Sequence, residues 1–105
     1  MTLEQRDFRR LLERSVVRDI APEECGSWAT VVDVRLREEY EAGHLPGAIN
    51  VPLAEIREAA ERLPRDRVYA LYCDTGGRSA AAAWLLSERG FDARRLYSHR
   101  ARERV

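Results

Sequence analysis

A chain of 105 residues, 45% apolar and 34% charged, has the composition of one globular domain and is short for two. Its 18 basic residues balance its 18 acidic ones and are well mixed with them, so no broad basic footprint marks it for nucleic acid. Every basic residue is arginine, which excludes a lysine Schiff base, a pyridoxal phosphate anchor and a phosphate-loop lysine together.

Thr2 with Gln5 fits a capping box, and Leu3, Phe8, Leu11 and Leu12 then share one helical face, which predicts a helix over 2–14. The same stretch has no continuous apolar run and carries Glu4, Asp7 and Glu13, so it reads as neither a secretory nor a transit signal. A cytoplasmic, reducing setting is the expectation, with Cys25 and Cys73 as thiols. No stretch approaches the length of a membrane span.

Val16–Arg18 is expected as a short strand, and Ala21-Pro22-Glu23-Glu24 as a helix start that would place Cys25 in a helix. ATVVDV, Ala29–Val34, reads as a buried strand. Arg35–Ala42 follows as a short charged helix ended by Gly43. Pro46-Gly47 marks a turn, Ala48–Val51 a short strand, and Leu53–Leu63 a helical pattern. After the break at Pro64, VYALYC, Val68–Cys73, reads as a second buried strand. Arg78–Arg89 is a strong helix closed by Gly90, and Ala93–Tyr97 a last strand. Alternating strands and helices define an α/β domain whose central sheet is mostly parallel, with helices on both faces.

Chemistry concentrates where the second buried strand meets the strong helix. Ligands of open α/β sheets bind beyond the carboxyl ends of strands, and Cys73 stands at such an end. Asp74-Thr75-Gly76-Gly77 can bend tightly because glycine tolerates positive φ. Such a turn aims successive N–H groups inward as an anion nest, which lowers the pKa of a thiol held there. Arg78 adds a permanent positive charge, and Thr75 and Ser79 add hydroxyl donors. A buried structural cysteine is the plain alternative.

Cys73-Asp74-Thr75-Gly76-Gly77-Arg78-Ser79 resembles the active-site loop of rhodanese domains. VVDVRLREEYEAGHLPGAINVPL, Val31–Leu53, resembles that family's other signature, with an Asp-x-Arg, a Glu-Tyr pair and a Gly-His-x-Pro-Gly turn. The resemblance covers most of the chain and implies a rhodanese-like fold over 16–97, an N-terminal helix over 1–15 outside the usual boundary, and a tail over 98–105. It implies a sulfurtransferase of the thiosulfate:cyanide type, in which Cys73 carries sulfur as a persulfide from a small anionic donor to a thiol, a protein cysteine or cyanide. It calls for no cofactor. Within it Arg78 binds the donor anion or stabilises the loop, and a carboxylate at Asp74 repels anionic donors unless it points outward. Cys-x4-Arg is also one residue shorter than the Cys-x5-Arg that phosphatases of this fold resemble.

Asp33 and Arg35 fall at the same sheet edge as Cys73 if the strands are parallel, as a bracing pair without a chemical step. His44 belongs to a structural turn, and Cys25, beside Glu23 and Glu24, is a passive thiol with a raised pKa. His44, His99 and the two cysteines lack zinc-site spacing, so no metal site is expected. After Leu96 the chain departs from the family, with Tyr97-Ser98-His99 where a Gly-Gly turn and a tryptophan-bearing helix are expected. The rival reading is a non-catalytic rhodanese module that binds partners, with an upstream domain in a longer chain.

Overall fold

The structure, a computed structural model, describes residues 17–96. The helix expected over 2–14 and the tail over 98–105 therefore lie outside the described residues.

Five parallel strands form one sheet in the order β1-β5-β4-β2-β3. They are β1 Arg18–Ile20, β2 Ala29–Asp33, β3 Ile49–Asn50, β4 Val68–Tyr72 and β5 Asp92–Leu96. Between them run α1 Arg37–Ala42, α2 Ile56–Ala59 and α3 Gly77–Glu88, with 3-10 turns at Pro22–Glu24 and Leu53–Glu55. The fold is thus α/β, with the parallel sheet the sequence predicts.

Strand β4 occupies the centre of the sheet, which explains its unbroken apolar run. The two-residue period of a strand divides its side chains between two cores. Tyr69 and Leu71, with Cys73 just beyond, join Val32, Ile56, Leu86 and Phe91 on one face. Ala70 and Tyr72 join Ile20 and Leu96 on the other. The alanines of α3 have a packing role, since Ala82 and Ala83 are fully buried and small enough to let the helix lie close to the sheet.

Three local expectations shift. Strand β1 lies two residues further on than expected, where its residues pair with Arg94, Arg95 and Leu96. The acidic turn after it closes as a single 3-10 turn, so Cys25 follows a turn and is not within a helix. The segment between Pro52 and Pro64 is helical only in part: Glu55, Glu61 and Arg62 donate backward to the third residue, Ala60 and Leu63 to the fourth. Proline at each end confines that segment, and 3-10 bonds tighten its ends.

Candidate active site

Parallel pairing sets Asp33, the last residue of β2, against Tyr72, the last residue of β4. The Val34 N–H continues the ladder by donating to the Tyr72 carbonyl oxygen at 3.0 Å. Asp33, Arg35 and Cys73 therefore come together at one sheet end, although Asp33 and Cys73 are 40 positions apart in the chain.

Asp33 is fully buried, and its carboxylate grips the Arg35 that follows. It accepts the Arg35 N–H at 2.9 Å, the Nε at 3.0 Å and the second guanidinium nitrogen at 2.8 Å. That nitrogen also donates to the Gly43 carbonyl oxygen at 2.7 Å, tying the turn after α1 to the sheet. Folding back onto Asp33 takes Arg35 out of the helix, which begins at Arg37 instead. The opposite guanidinium nitrogen stands 3.5 Å from Asp74, and the guanidinium lies 5.4 Å from the centre of the Tyr72 ring. Asp74 itself is exposed and accepts the Tyr72 hydroxyl at 3.3 Å.

Beyond Cys73 the chain reverses through Gly76, whose φ of 88° is left-handed and suits glycine, and Gly77 opens α3. The reversal converges N–H groups on the Cys73 sulfur: Gly76 donates at 3.0 Å and Ser79 at 3.2 Å. The Ser79 hydroxyl, fully buried, lies 3.3 Å from the same sulfur and 3.2 Å from the Gly76 carbonyl oxygen. With Cys73 as a thiol, S–H donates to Ser79 and Ser79 donates to Gly76. With Cys73 as a thiolate, one rotation of the Ser79 hydroxyl turns its proton to the sulfur.

Cys73 is 4% exposed, and burial pushes its pKa up. The Ser79 hydroxyl and the N–H groups of Ser79, Gly76 and Thr75 outweigh that burial and hold the thiol below its ordinary pKa.

Arg78 turns to α1. Its guanidinium donates to both oxygens of Glu39 on α1, at 2.7 and 3.2 Å. Glu39 also accepts the Leu36 N–H at 3.0 Å, capping α1. Arg78 foremost, and then the Leu36 N–H, hold the Glu39 carboxyl down to about 2. Glu39 stands in the quoted Glu-Tyr pair, but its partner lies 39 residues away, beyond the reach of a local pattern.

His44 places Nδ1 2.8 Å from the Tyr40 carbonyl oxygen and stacks on the Tyr40 ring with centroids 3.7 Å apart. The Tyr40 hydroxyl in turn donates to the Ala48 carbonyl at 2.6 Å. Cys25 sits apart in a groove of about 520 Å³ shared with Val31, Leu45 and Arg67, which Cys73 does not line. Both cysteines are free. Among the described residues no group of three or more His, Cys, Asp or Glu side chains could hold a metal ion. No helix among them is long and apolar enough to cross a membrane.

The site is thus a parallel α/β sheet with a buried cysteine at the end of its central strand, its sulfur met by two backbone N–H groups, an arrangement that favours a thiolate. The model of the rhodanese-like domain matches residues 17–99, and the chain belongs to that family. It is similar to thiosulfate sulfurtransferase PspE of Escherichia coli, at 39% identity over 62 residues, which cover 57% of this chain and 60% of that one. It is also 54% identical over 44 residues to the HTH-type transcriptional regulator Rv0324 of Mycobacterium tuberculosis, covering 42% of this chain and 20% of the regulator. Among solved structures, a rhodanese-related protein of Thermoplasma volcanium superposes with a TM-score of 0.73 at 34% identity, covering 83% of this chain and 92% of that one. The chain spans 20% and 33% of the length of two further-reaching relatives, the regulator and the putative sulfur carrier protein YrkF of Bacillus subtilis.

Proposed function

We propose that the protein is a sulfurtransferase that carries sulfane sulfur on Cys73. The reading rests on one observation: the Cys73 sulfur, at the end of the central strand, receives the Gly76 and Ser79 N–H groups and faces the Ser79 hydroxyl. Donors fixed in place by the turn stabilise a thiolate without reorganising. They serve a persulfide in the same way once sulfur is loaded.

The Cys73 thiolate attacks the outer sulfur of a donor, of which thiosulfate is the simplest. A new S–S bond forms to Cys73, the donor's own S–S bond breaks, and sulfite leaves with the electron pair. A thiophile such as cyanide, a small thiol or a protein cysteine then attacks the outer sulfur and releases the Cys73 thiolate. The names of the sulfurtransferase relatives support this direction. The family's Cys-x4-Arg spacing, Cys73 to Arg78, favours sulfur over phosphate, and p-nitrophenyl phosphate is expected not to be turned over.

Likeness to part of a transcriptional regulator favours a second reading, a rhodanese module that serves partner binding within a longer chain. Intact mass after incubation with thiosulfate or a persulfide donor, wild type beside Cys73→Ser, separates the two. One added sulfur on the wild type alone, removed by cyanide, supports the carrier. No adduct from either donor supports the binding module.

A further inference from the structure

Among the described residues, three arginines around the loop each meet a carboxylate. Arg78 gives both ends of its guanidinium to Glu39. Arg35 is held by buried Asp33. Arg95, whose guanidinium lies 3.6 Å from the position a side chain on Gly76 would take, gives two hydrogen bonds to Asp19, at 2.8 and 3.0 Å. Each of these three arginines thus meets a carboxylate, and Asp74, directly after Cys73 and exposed, stands 3.5 Å from Arg35 as a second acid on that cation. Among the described residues these three arginines are met by four carboxylates.

We propose that Glu39 sets donor specificity: by holding Arg78 in a two-point ion pair it withdraws the loop's cation from Cys73 and directs the site to thiol persulfides in preference to the thiosulfate dianion. The inference rests on the sulfurtransferase reading and deepens it. A cradle for a sulfonate dianion needs a guanidinium fork free to meet its oxygens. Here that fork already meets a carboxylate, and a dianion approaching the mouth must displace Glu39 and pass Asp74. A persulfide, RS–SH, carries at most a single negative charge on its reacting group and needs no such cation. The Cys73 thiolate attacks its outer sulfur, the RS–S bond breaks, the persulfide proton stays with the transferred sulfur, and RS⁻ departs. Glu39 touches none of the reacting atoms and acts through Arg78, as a positioning residue.

The test measures kcat/KM for sulfur loading of the full chain from thiosulfate and from cysteine persulfide, in wild type and Glu39→Gln. Glutamine keeps an oxygen for the Leu36 N–H and removes the charge that binds Arg78. The ratio of thiosulfate to persulfide kcat/KM is expected to rise about five- to tenfold, mainly through a lower KM for thiosulfate, the size expected for freeing one half-buried ion pair. Asp74→Asn, an exposed change that spares the α1 cap, is expected to raise the same ratio about two- to threefold. In the wild type, thiosulfate kcat/KM should hold or rise as salt is added, because screening relieves a repulsion. A ratio that stays constant or falls in Glu39→Gln, with both donors loading Cys73, overturns the role of Glu39 whatever Asp74→Asn does, and leaves the sulfurtransferase reading standing. A steep fall of wild-type thiosulfate kcat/KM with salt overturns it as well. Failure of the wild type to load from either donor overturns both readings.

Discussion

The Ser79 hydroxyl stands 3.3 Å from the Cys73 sulfur and 3.2 Å from the Gly76 carbonyl oxygen, so one buried proton serves two acceptors in turn. Ser79→Ala removes that proton and leaves the two backbone donors in place. A hydrogen bond to a charged group contributes about 1.5–3 kcal/mol. Labelling of Cys73 by iodoacetamide at neutral pH should therefore fall by roughly tenfold or more, as the thiolate fraction falls. Peptide mass mapping of the labelled protein checks it, and an unchanged rate would mean that the backbone donors suffice.

The two cysteines should separate in pH. Burial raises the Cys73 pKa, but the hydrogen bonds from Ser79, Gly76 and Thr75 bring it below the ordinary thiol value. Burial, followed by Glu24 and Glu23 and opposed by Arg94, raises that of Cys25. Alkylation of Cys73 should therefore reach half its plateau at lower pH than alkylation of Cys25. The sign carries over to stability: a depressed folded-state pKa contributes stability that is present above the unfolded thiol pKa and is lost as pH falls through the folded value. Cys73→Ala should accordingly remove the alkaline part of the stability profile, measured by denaturant unfolding across pH.

Asp33→Ala leaves the Arg35 guanidinium buried, with the Gly43 carbonyl, the Tyr72 ring and the exposed Asp74 at 3.5 Å to meet it. Breaking a buried pair from one side costs about 3–5 kcal/mol. Urea unfolding should show that loss, and Asp33→Ala with Arg35→Leu should recover part of it, because no uncompensated charge remains. A loss well under 1 kcal/mol would show that solvent reaches the guanidinium freely.

Neighbouring glycines should respond differently. Gly76 has φ of 88°, where a side chain costs about 1–2 kcal/mol, whereas Gly77 begins α3 with no positive φ. Gly76→Ala should lower the melting temperature by several degrees and slow Cys73 labelling, because the strained turn draws the Gly76 N–H off the sulfur. Gly77→Ala should leave the melting temperature level or raise it slightly, as alanine favours the helix. Thermal scans of the two variants side by side decide the matter.

Local physics made much of this protein legible from its residues alone. An apolar run as dense as VYALYC suits only a strand buried on both faces, and Gly-Gly before an alanine-rich stretch signals a tight turn into a helix. Those two facts placed Cys73 at a strand end and beneath a helix start, which the structure shows. The Asp33–Arg35 pair was equally near at hand, since residues two apart at a strand end can meet directly. Which glycine turns the chain was beyond local reading, because Gly76 and Gly77 are chemically identical and only the path into α3 distinguishes them.

Tertiary structure alone decided where the charges went. Strand order β1-β5-β4-β2-β3 brings α1 beside the loop, and with it Glu39 against Arg78, two residues 39 apart in the chain. The same order brings Asp19 of the first strand to Arg95 of the last, 76 residues on. A side chain's charge is written in the sequence, but its partner is set by which strands neighbour each other, and the field at Cys73 depends on those partners. The sequence by itself determined that a cysteine waits at the end of a buried strand; the folded chain determined which carboxylate each arginine around it meets.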